Sequence, residues 1–206
     1  MKIKYNLNRR AGLLSGTLYT LLFLLIFGSA GVAQMVVTNG TSVTVVSGGY
    51  LSSSEDLVIN SGGTVSAAGT LVLRKNLINS NPSENSLGTG TVQFAGTTGQ
   101  SVSGLNRFQN LLLLNSAGLA LSGNTRVNGI LTLTSGRISL GTNNLLLGPS
   151  ATVAGTLSSS NMIVTNSTGQ LRKEFSSAGT FLFPVGDVTG SAEYSPVTLA
   201  FSSGTF

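Results

Sequence analysis

The chain has 206 residues, of which only 8% are charged, and it contains neither cysteine nor histidine. This length allows one or two domains with a sizeable core. Without cysteine there are no disulfides, no thiolate metal sites and no lipid attached to a cysteine, and without histidine there are no histidine triads or histidine metal ligands.

The positive charge of the chain is concentrated at its N-terminus. Four of the 11 basic residues lie in the first ten positions, which leaves seven basic residues against six acidic ones in the remainder. The formal net charge of +5 therefore belongs mainly to this leader. The rest of the chain gives no support for nucleic-acid binding, which needs a clustered basic surface.

Residues 1–33 are predicted to be a signal peptide. A basic segment precedes an apolar run at residues 18–27, and Gly31 and Ala33 suit the small-residue positions before a cleavage site after Ala33. The apolar run is shorter than the roughly 20 residues that span a bilayer, so no stable membrane span is expected after cleavage. The predicted location is secreted, either extracellular or on the exterior of a bacterial outer membrane.

From residue 35 onward, apolar residues recur with a period of two rather than with helical spacing, which predicts short β-strands. Segments at residues 47–49, 61–63, 68–69 and 135–136 contain glycine, which suits the tight corners between such strands. The pairs expected to point inward are Val43/Val45, Leu57/Ile59, Leu71/Leu73, Val92/Phe94, Leu131/Leu133, Ile138/Leu140 and Leu145/Leu147.

Residues 110–148 repeat themselves at a step of 19 residues, which is typical of a solenoid. The predicted fold is therefore all-β, a right-handed parallel β-helix in which each strand pairs with its equivalents in the neighbouring coils. An antiparallel β-sandwich is the alternative, although it has no reason to keep this step. The repeat matches Leu112, Leu114, Leu119, Leu121, Asn124 and Val127 with Leu131, Leu133, Ile138, Leu140, Asn143 and Leu146. Asn124 and Asn143 are predicted to form a stacked ladder.

Two segments depart from this repeat. Residues 75–90 are polar and contain Pro82, which predicts a loop that projects from one coil. From residue 171 a charge cluster, three phenylalanines and a new alternating stretch follow. We therefore predict a β-helix repeat domain at residues 34–170 and an incomplete second β-domain or cap at residues 171–206, as expected for the first part of a longer chain.

The sequence shows no catalytic constellation. The six acids are scattered, and the adjacent Glu55 and Asp56 would point to opposite faces of a strand, whereas a glycosidase needs two carboxylates about 5 to 10 Å apart. No catalytic residue, cofactor or metal ligand is predicted, and the chain is not expected to be an enzyme. Arg107 and Arg126 are 19 residues apart, with no acid near them in the sequence. They are expected to stack as a solvated polar column or as a contact for an anionic glycan.

Two segments resemble a known class of proteins: NLLLLNSAGLALSGNTRVNGILTLTSGRISLGTNNLLLG and EFSSAGTFLFPVGDVTGSAEYSPVTLAF. Both are similar to parts of the large secreted surface proteins of Bacteroidetes-type bacteria, where Gly-, Asn- and Thr-rich repeats are followed by such a block. The resemblance implies a β-helical, adhesin-like extracellular stalk, often exported by the type IX secretion system. It brings no catalytic residues and no cofactor.

The predicted function is that of a secreted structural or adhesive β-solenoid that presents polar ladders to surfaces or glycans. Its predicted partners are polysaccharides or cell-surface components, together with the remainder of a longer chain. Two alternatives stay open at this point: a carbohydrate-active β-helix enzyme of the polysaccharide-lyase type, and a truncated, non-functional fragment.

Overall fold

A computed structural model describes residues 34–203, which contain β-strands and no helix. The predicted signal peptide, residues 1–33, lies outside the described residues. Within the described part of the chain, no helix is long and apolar enough to cross a membrane.

The strands are short and follow one another at bends and turns. In chain order they are β1 (Met35–Val37), β2 (Ser42–Val45), β3 (Tyr50–Ser53), β4 (Leu57–Ile59), β5 (Thr64–Ala67), β6 (Thr70–Leu73), β7 (Leu77–Asn79), β8 (Asn85–Ser86), β9 (Thr91–Phe94), β10 (Gln100–Ser103), β11 (Asn106–Phe108), β12 (Asn110–Leu114), β13 (Leu119–Ser122), β14 (Thr125–Val127), β15 (Ile130–Ser135), β16 (Ile138–Ser139), β17 (Leu145–Leu147), β18 (Thr152–Gly155), β19 (Ile163–Val164), β20 (Leu171–Lys173), β21 (Gly179–Phe183), β22 (Val185–Asp187), β23 (Glu193–Tyr194) and β24 (Val197–Phe201).

Successive strands turn around three faces, and every third strand pairs in parallel with its equivalent in the next coil. Face 1 contains β1, β4, β7, β10, β13, β16, β19 and β22. Face 2 contains β2 and β5, then β8, β11, β14, β17 and β20, and a backbone hydrogen bond from Ala67 to Leu87 links its two parts. Face 3 contains β3, β6, β9, β12, β15 and β18. The result is a β-solenoid of about seven coils, which confirms the predicted parallel solenoid over the sandwich.

The core is a continuous column inside these faces. The predicted inward pairs are buried, apart from the half-buried Val43. Within the core Phe94 and Phe108 pack edge to face, with ring centroids 6.2 Å apart. Polar groups of the backbone are paired between coils, so the narrow core can stay apolar.

The 19-residue step holds between β13 and β16 on face 1, where Leu119 pairs with Ile138, but β12 and β15 on face 3 pair with a step of 20 residues. Leu111 pairs with Leu131 there, so the predicted match of Leu112 with Leu131 is wrong by one residue. Because the side-chain period of a strand is two, such a slip exchanges inside and outside. Leu111 is 1% exposed, whereas Leu114, which the repeat matched with the inward-facing Leu133, is 43% exposed.

The predicted loop at residues 75–90 is wrong, because most of this segment is part of a coil. It contains β7 and β8, and Leu77 and Leu87 are buried in the core. Residues 80–84 and 87–90 are short connections that lead from β7 to β8 and from β8 to β9. The polar composition of the segment therefore reflects outward-facing positions and corners.

The stacking continues beyond residue 170. β20 pairs in parallel with β17, and β22 pairs in parallel with β19. The pattern then becomes antiparallel, because β23 pairs with β22, and β24 pairs with β21 in a separate two-stranded sheet, which we call the terminal sheet. Phe181 of the terminal sheet packs against the core. The β segment predicted from residue 171 thus begins as a coil of the solenoid.

Candidate functional site

The outward column of face 2 contains the two arginines singled out by the sequence. Arg107 and Arg126 are register partners in β11 and β14, which places them side by side as predicted. Their surroundings differ from the prediction, because each faces a carboxylate. Glu84 precedes β8 and Glu174 follows β20, so both acids approach the column from other coils.

Arg126 is held in a fixed geometry. Its Nη1 and Nη2 donate to the two carboxylate oxygens of Glu174 at 2.9 and 2.5 Å, and its Nε donates to Asn128 Oδ1 at 2.7 Å. The hydrogen bond with Glu174 raises the pKa of Arg126, and the same bond lowers the pKa of Glu174. Arg107 Nε lies 3.5 Å from Glu84 Oε1, in a more exposed pair. The column is therefore a set of ion pairs rather than a row of free cations.

A small cavity of about 210 Å³ lies beside this column. Its lining includes Glu84, Arg126, Leu146 and Arg172. Arg172 is exposed and donates from Nε to Gln170 Oε1 at 2.9 Å. Charges of both signs line this cavity, which gives it no strong preference for an anion.

A larger groove of about 410 Å³ lies at the corner where face 3 passes into face 1. Corner residues of successive coils line it, together with Val188. They include Gln100, Ser116, Gly118, Ser135, Arg137, Ser139, Ser160 and Asn161. We call this cavity the corner groove. Its single charged lining residue is Arg137.

Arg137 and the loop that faces it are fixed by hydrogen bonds. Arg137 Nε donates to the carbonyl oxygen of Ser159 at 2.6 Å. Asn161 Oδ1 accepts from the backbone N–H of Gly136 at 2.9 Å, and Asn161 Nδ2 donates to the carbonyl oxygen of Thr156 at 2.8 Å. Among the described residues no carboxylate forms an ion pair with Arg137. This arginine is thus positioned but electrostatically uncompensated.

Buried side-chain amides form a hydrogen-bond network at the same corner. Gln100 is 3% exposed, and its Nε2 donates to the carbonyl oxygens of Leu73 and Lys75 at 3.0 and 2.6 Å. Its Oε1 accepts from Gly96 N–H at 2.8 Å and from Asn115 Nδ2 at 2.9 Å. A fully satisfied buried network of this kind rigidifies the backbone around it. The floor of the corner groove is therefore built on a stiff support.

The sequence missed the corner groove because its residues come from several coils and look like ordinary corner residues. A usable signal was the position of Arg137. Its carbonyl oxygen accepts a hydrogen bond from Leu119 N–H, and it stacks over Gly118 of the preceding coil. The backbone of Arg137 thus approaches Gly118 closely, because glycine has no Cβ to obstruct it.

The predicted asparagine ladder exists with a different partner. Asn124 Oδ1 accepts from the backbone N–H of Asn144 at 2.8 Å, and Asn144 Oδ1 accepts from Gln170 N–H at 3.0 Å. Asn143, the predicted partner, instead donates from Nδ2 to the carbonyl oxygen of Leu121 at 2.8 Å. The partner of Asn124 is Asn144 because the local step is 20 residues, and the bonds join side chain to main chain, whereas the prediction stacked one side chain on another.

Within the described residues there is no group of three acids, histidines or cysteines that could hold a metal ion. No family model, curated protein or solved structure matches the chain. The resemblance to Bacteroidetes-type surface proteins therefore stays a prediction from the sequence.

Proposed function

We propose that the mature chain is a secreted structural and adhesive segment, which holds polar surfaces against glycans or a cell surface. The observation that carries this proposal is the parallel pairing from coil to coil on three faces. It repeats outward-facing polar groups at the spacing of stacked strands, about 4.8 Å. Seven such coils give a rod about 34 Å long, with its backbone hydrogen bonds satisfied internally.

The first two coils show what such a surface offers. On face 2, Ser42 pairs with Thr64 and Thr44 pairs with Ser66, and all four side chains are exposed. Their hydroxyls form a flat patch in which every group can donate and accept hydrogen bonds. Carbohydrate hydroxyls are the natural complement of such a surface, because they also donate and accept.

Export is the first part of the proposal that can be tested. The full chain, expressed in a bacterial host with its own leader, is expected outside the cytoplasm with Gln34 as its first residue. N-terminal sequencing of the exported fraction measures this directly. Retention of the intact leader in a cytoplasmic product would contradict the proposed export.

Adhesion is tested with the exported, purified protein on a panel of insoluble polysaccharides and isolated cell envelopes. We expect saturable retention on at least one of them, without release of sugar products. A matched variant, Thr44→Ala with Thr64→Ala, removes two exposed hydroxyls without touching the core, and it reports whether the face 2 patch contributes.

Two results would contradict the proposal. The first is a folded protein that is retained on none of these surfaces. The second is the appearance of unsaturated or reducing sugar ends, which would favour the polysaccharide-lyase or hydrolase alternative.

A further inference from the structure

We propose that the corner groove binds an extended acidic polysaccharide, with Arg137 holding the carboxylate of a uronate residue. This inference rests on the proposed function, because it names a ligand class and a site for the same adhesive surface. It is carried by the shape of the groove, by the uncompensated charge of Arg137 and by the hydroxyls around it.

The charge argument distinguishes Arg137 from Arg107 and Arg126, the two arginines of the column. Arg126 and Arg107 already face Glu174 and Glu84, so a second anion at either would have to compete with a fixed carboxylate. Arg137 uses only its Nε, on the carbonyl oxygen of Ser159. Its terminal nitrogens have no other hydrogen-bond acceptor among the described residues. A guanidinium presents paired donors that match the two oxygens of a carboxylate.

The shape argument favours a linear ligand. The lining residues come from positions near 100, 118, 137 and 161, which are equivalent corners of four successive coils. Four stacked coils extend over about 15 Å along the solenoid axis. A groove with this course suits an extended chain that lies along the axis better than a compact molecule.

The lining chemistry favours a sugar chain over an acidic peptide. Ser116, Ser135, Ser139 and Ser160 line the groove together with Arg137. Of the larger apolar lining side chains, Leu119 and Val164 are 2% and 1% exposed and belong to the core, whereas Val188 is half-buried. The groove therefore combines hydroxyl groups with small apolar side chains, a mixture that suits the hydroxyls and the C–H faces of a sugar ring. The uronate residues of an acidic polysaccharide, which each carry several hydroxyls and one carboxylate, satisfy such a surface.

Preorganisation makes this binding feasible on an open surface. The Ser159 carbonyl fixes the Arg137 guanidinium, and Asn161 ties the opposite loop to Gly136. An arginine that is already held loses less side-chain entropy when a ligand binds. This entropic cost therefore offsets less of the interaction free energy, and the affinity is higher.

Calorimetric titration of the full, exported protein with an oligogalacturonate tests the proposal. We expect saturable binding that is lost with the methyl-esterified oligosaccharide, which has the same sugars without the carboxylate charge. Arg137→Ala is expected to lower the affinity at least tenfold, and Arg137→Lys is expected to recover part of it, because lysine keeps the charge without the planar donors.

Arg172→Ala is the matched control, because Arg172 also makes one Nε hydrogen bond and no ion pair but lies on face 2. It should change the affinity less than twofold. Ser139→Asp, at an exposed lining position, places a negative charge in the groove and is expected to abolish binding in a protein that still folds. This variant keeps the test decisive if Arg137→Ala fails to fold.

Several results would overturn the proposal. An equal loss of oligogalacturonate affinity in Arg137→Ala and Arg172→Ala would show that binding depends only on the overall positive charge. Wild-type affinity in Ser139→Asp would show that the ligand binds outside the corner groove. Polyglutamate that competes with equal affinity would favour an acidic peptide. Absence of oligogalacturonate binding would remove the corner groove as a site, whereas retention on uncharged polysaccharides would leave the proposed adhesive function intact.

Discussion

Glu174 is the residue that joins the charge cluster at 172–174 to the arginine column. Its carboxylate accepts hydrogen bonds from both terminal nitrogens of Arg126. The preceding residue, Lys173, donates from Nζ to the carbonyl oxygens of Gly148, Pro149 and Glu174. Lys173 also lies 5.5 Å from the ring centroids of Phe175 and Phe181. These contacts hold β20 against the coil before it and against β21 of the terminal sheet after it.

The pair of Arg126 and Glu174 predicts a pH-dependent stability. Hydrogen bonding with Arg126 lowers the pKa of Glu174 in the folded chain. The pair therefore stabilises the fold fully above the ordinary glutamate pKa of about 4.3, and the contribution is lost as the pH falls through the lowered folded-state pKa. Since both side chains are partly exposed, the contribution is about 0.5 to 1 kcal/mol.

Denaturant unfolding of Glu174→Gln across the acid range measures this contribution. The variant should be less stable than the wild type at pH 7, and the difference should shrink as the pH falls below about 4. Glu193→Gln, which removes an exposed carboxylate without an ion pair, is the control. A wild-type advantage that persists unchanged in acid would rule out this origin.

At the scale of elements, the corner before each face 3 strand sets how closely the coils stack. A Cβ built on Gly69 would collide with the carbonyl oxygen of Gly49, and one built on Gly90 would collide with the carbonyl oxygen of Gly69. These carbonyls accept hydrogen bonds from Thr70 and Thr91 as the chain enters face 3. The glycines are therefore required by close approach between coils, which a single coil considered alone does not reveal.

The glycine column makes a direct mutational prediction. Gly90→Ala should lower the free energy of unfolding by about 1 to 3 kcal/mol, since backbone atoms of the neighbouring coil must move to accept the methyl group. Gly179→Ala is the matched control, because a Cβ there meets nothing within 4 Å. Urea unfolding of both variants compares them, and equal stability of the two would mean that the coils are spaced more loosely than described.

At the scale of the whole molecule, the solenoid is a one-dimensional array whose coils contact mainly their neighbours. Central strands such as β12 and β15 have partners on both sides and carry the fully buried Leu113 and Leu133. Among the described strands, β24 pairs with β21, and all five residues of β24 are exposed. Stability should therefore fall from the centre toward the terminal sheet.

Native-state hydrogen exchange tests this gradient. Amides of β12 and β15 should exchange slowest, at rates that approach global unfolding, and those of β24 should exchange fastest among the strands. Val127 and Phe108, on face 2 of the same coils, provide an internal comparison, because they should be protected like β12. Uniform protection that includes β24 would show that the terminal sheet belongs to the same cooperative unit as the coils.

The sequence by itself determined the features that depend on neighbouring residues. Alternation of period two identified which side of a strand faces the core, as at Leu57 and Ile59, because successive side chains must point to opposite sides. Gly48, Gly62 and Gly136 marked corners, and all three have positive φ angles that favour glycine. The repeat in turn indicated stacked parallel coils.

Only the tertiary structure decided what depends on the register between coils. The corners differ in length, so Leu111 rather than Leu112 pairs with Leu131, and Asn144 rather than Asn143 continues the ladder. The pairing of Arg126 with Glu174 and the corner groove around Arg137 also depend on this register, because residues far apart in sequence meet where coils stack. Local alternation fixes the face on which a side chain lies, whereas its neighbours are fixed by how many residues each corner uses.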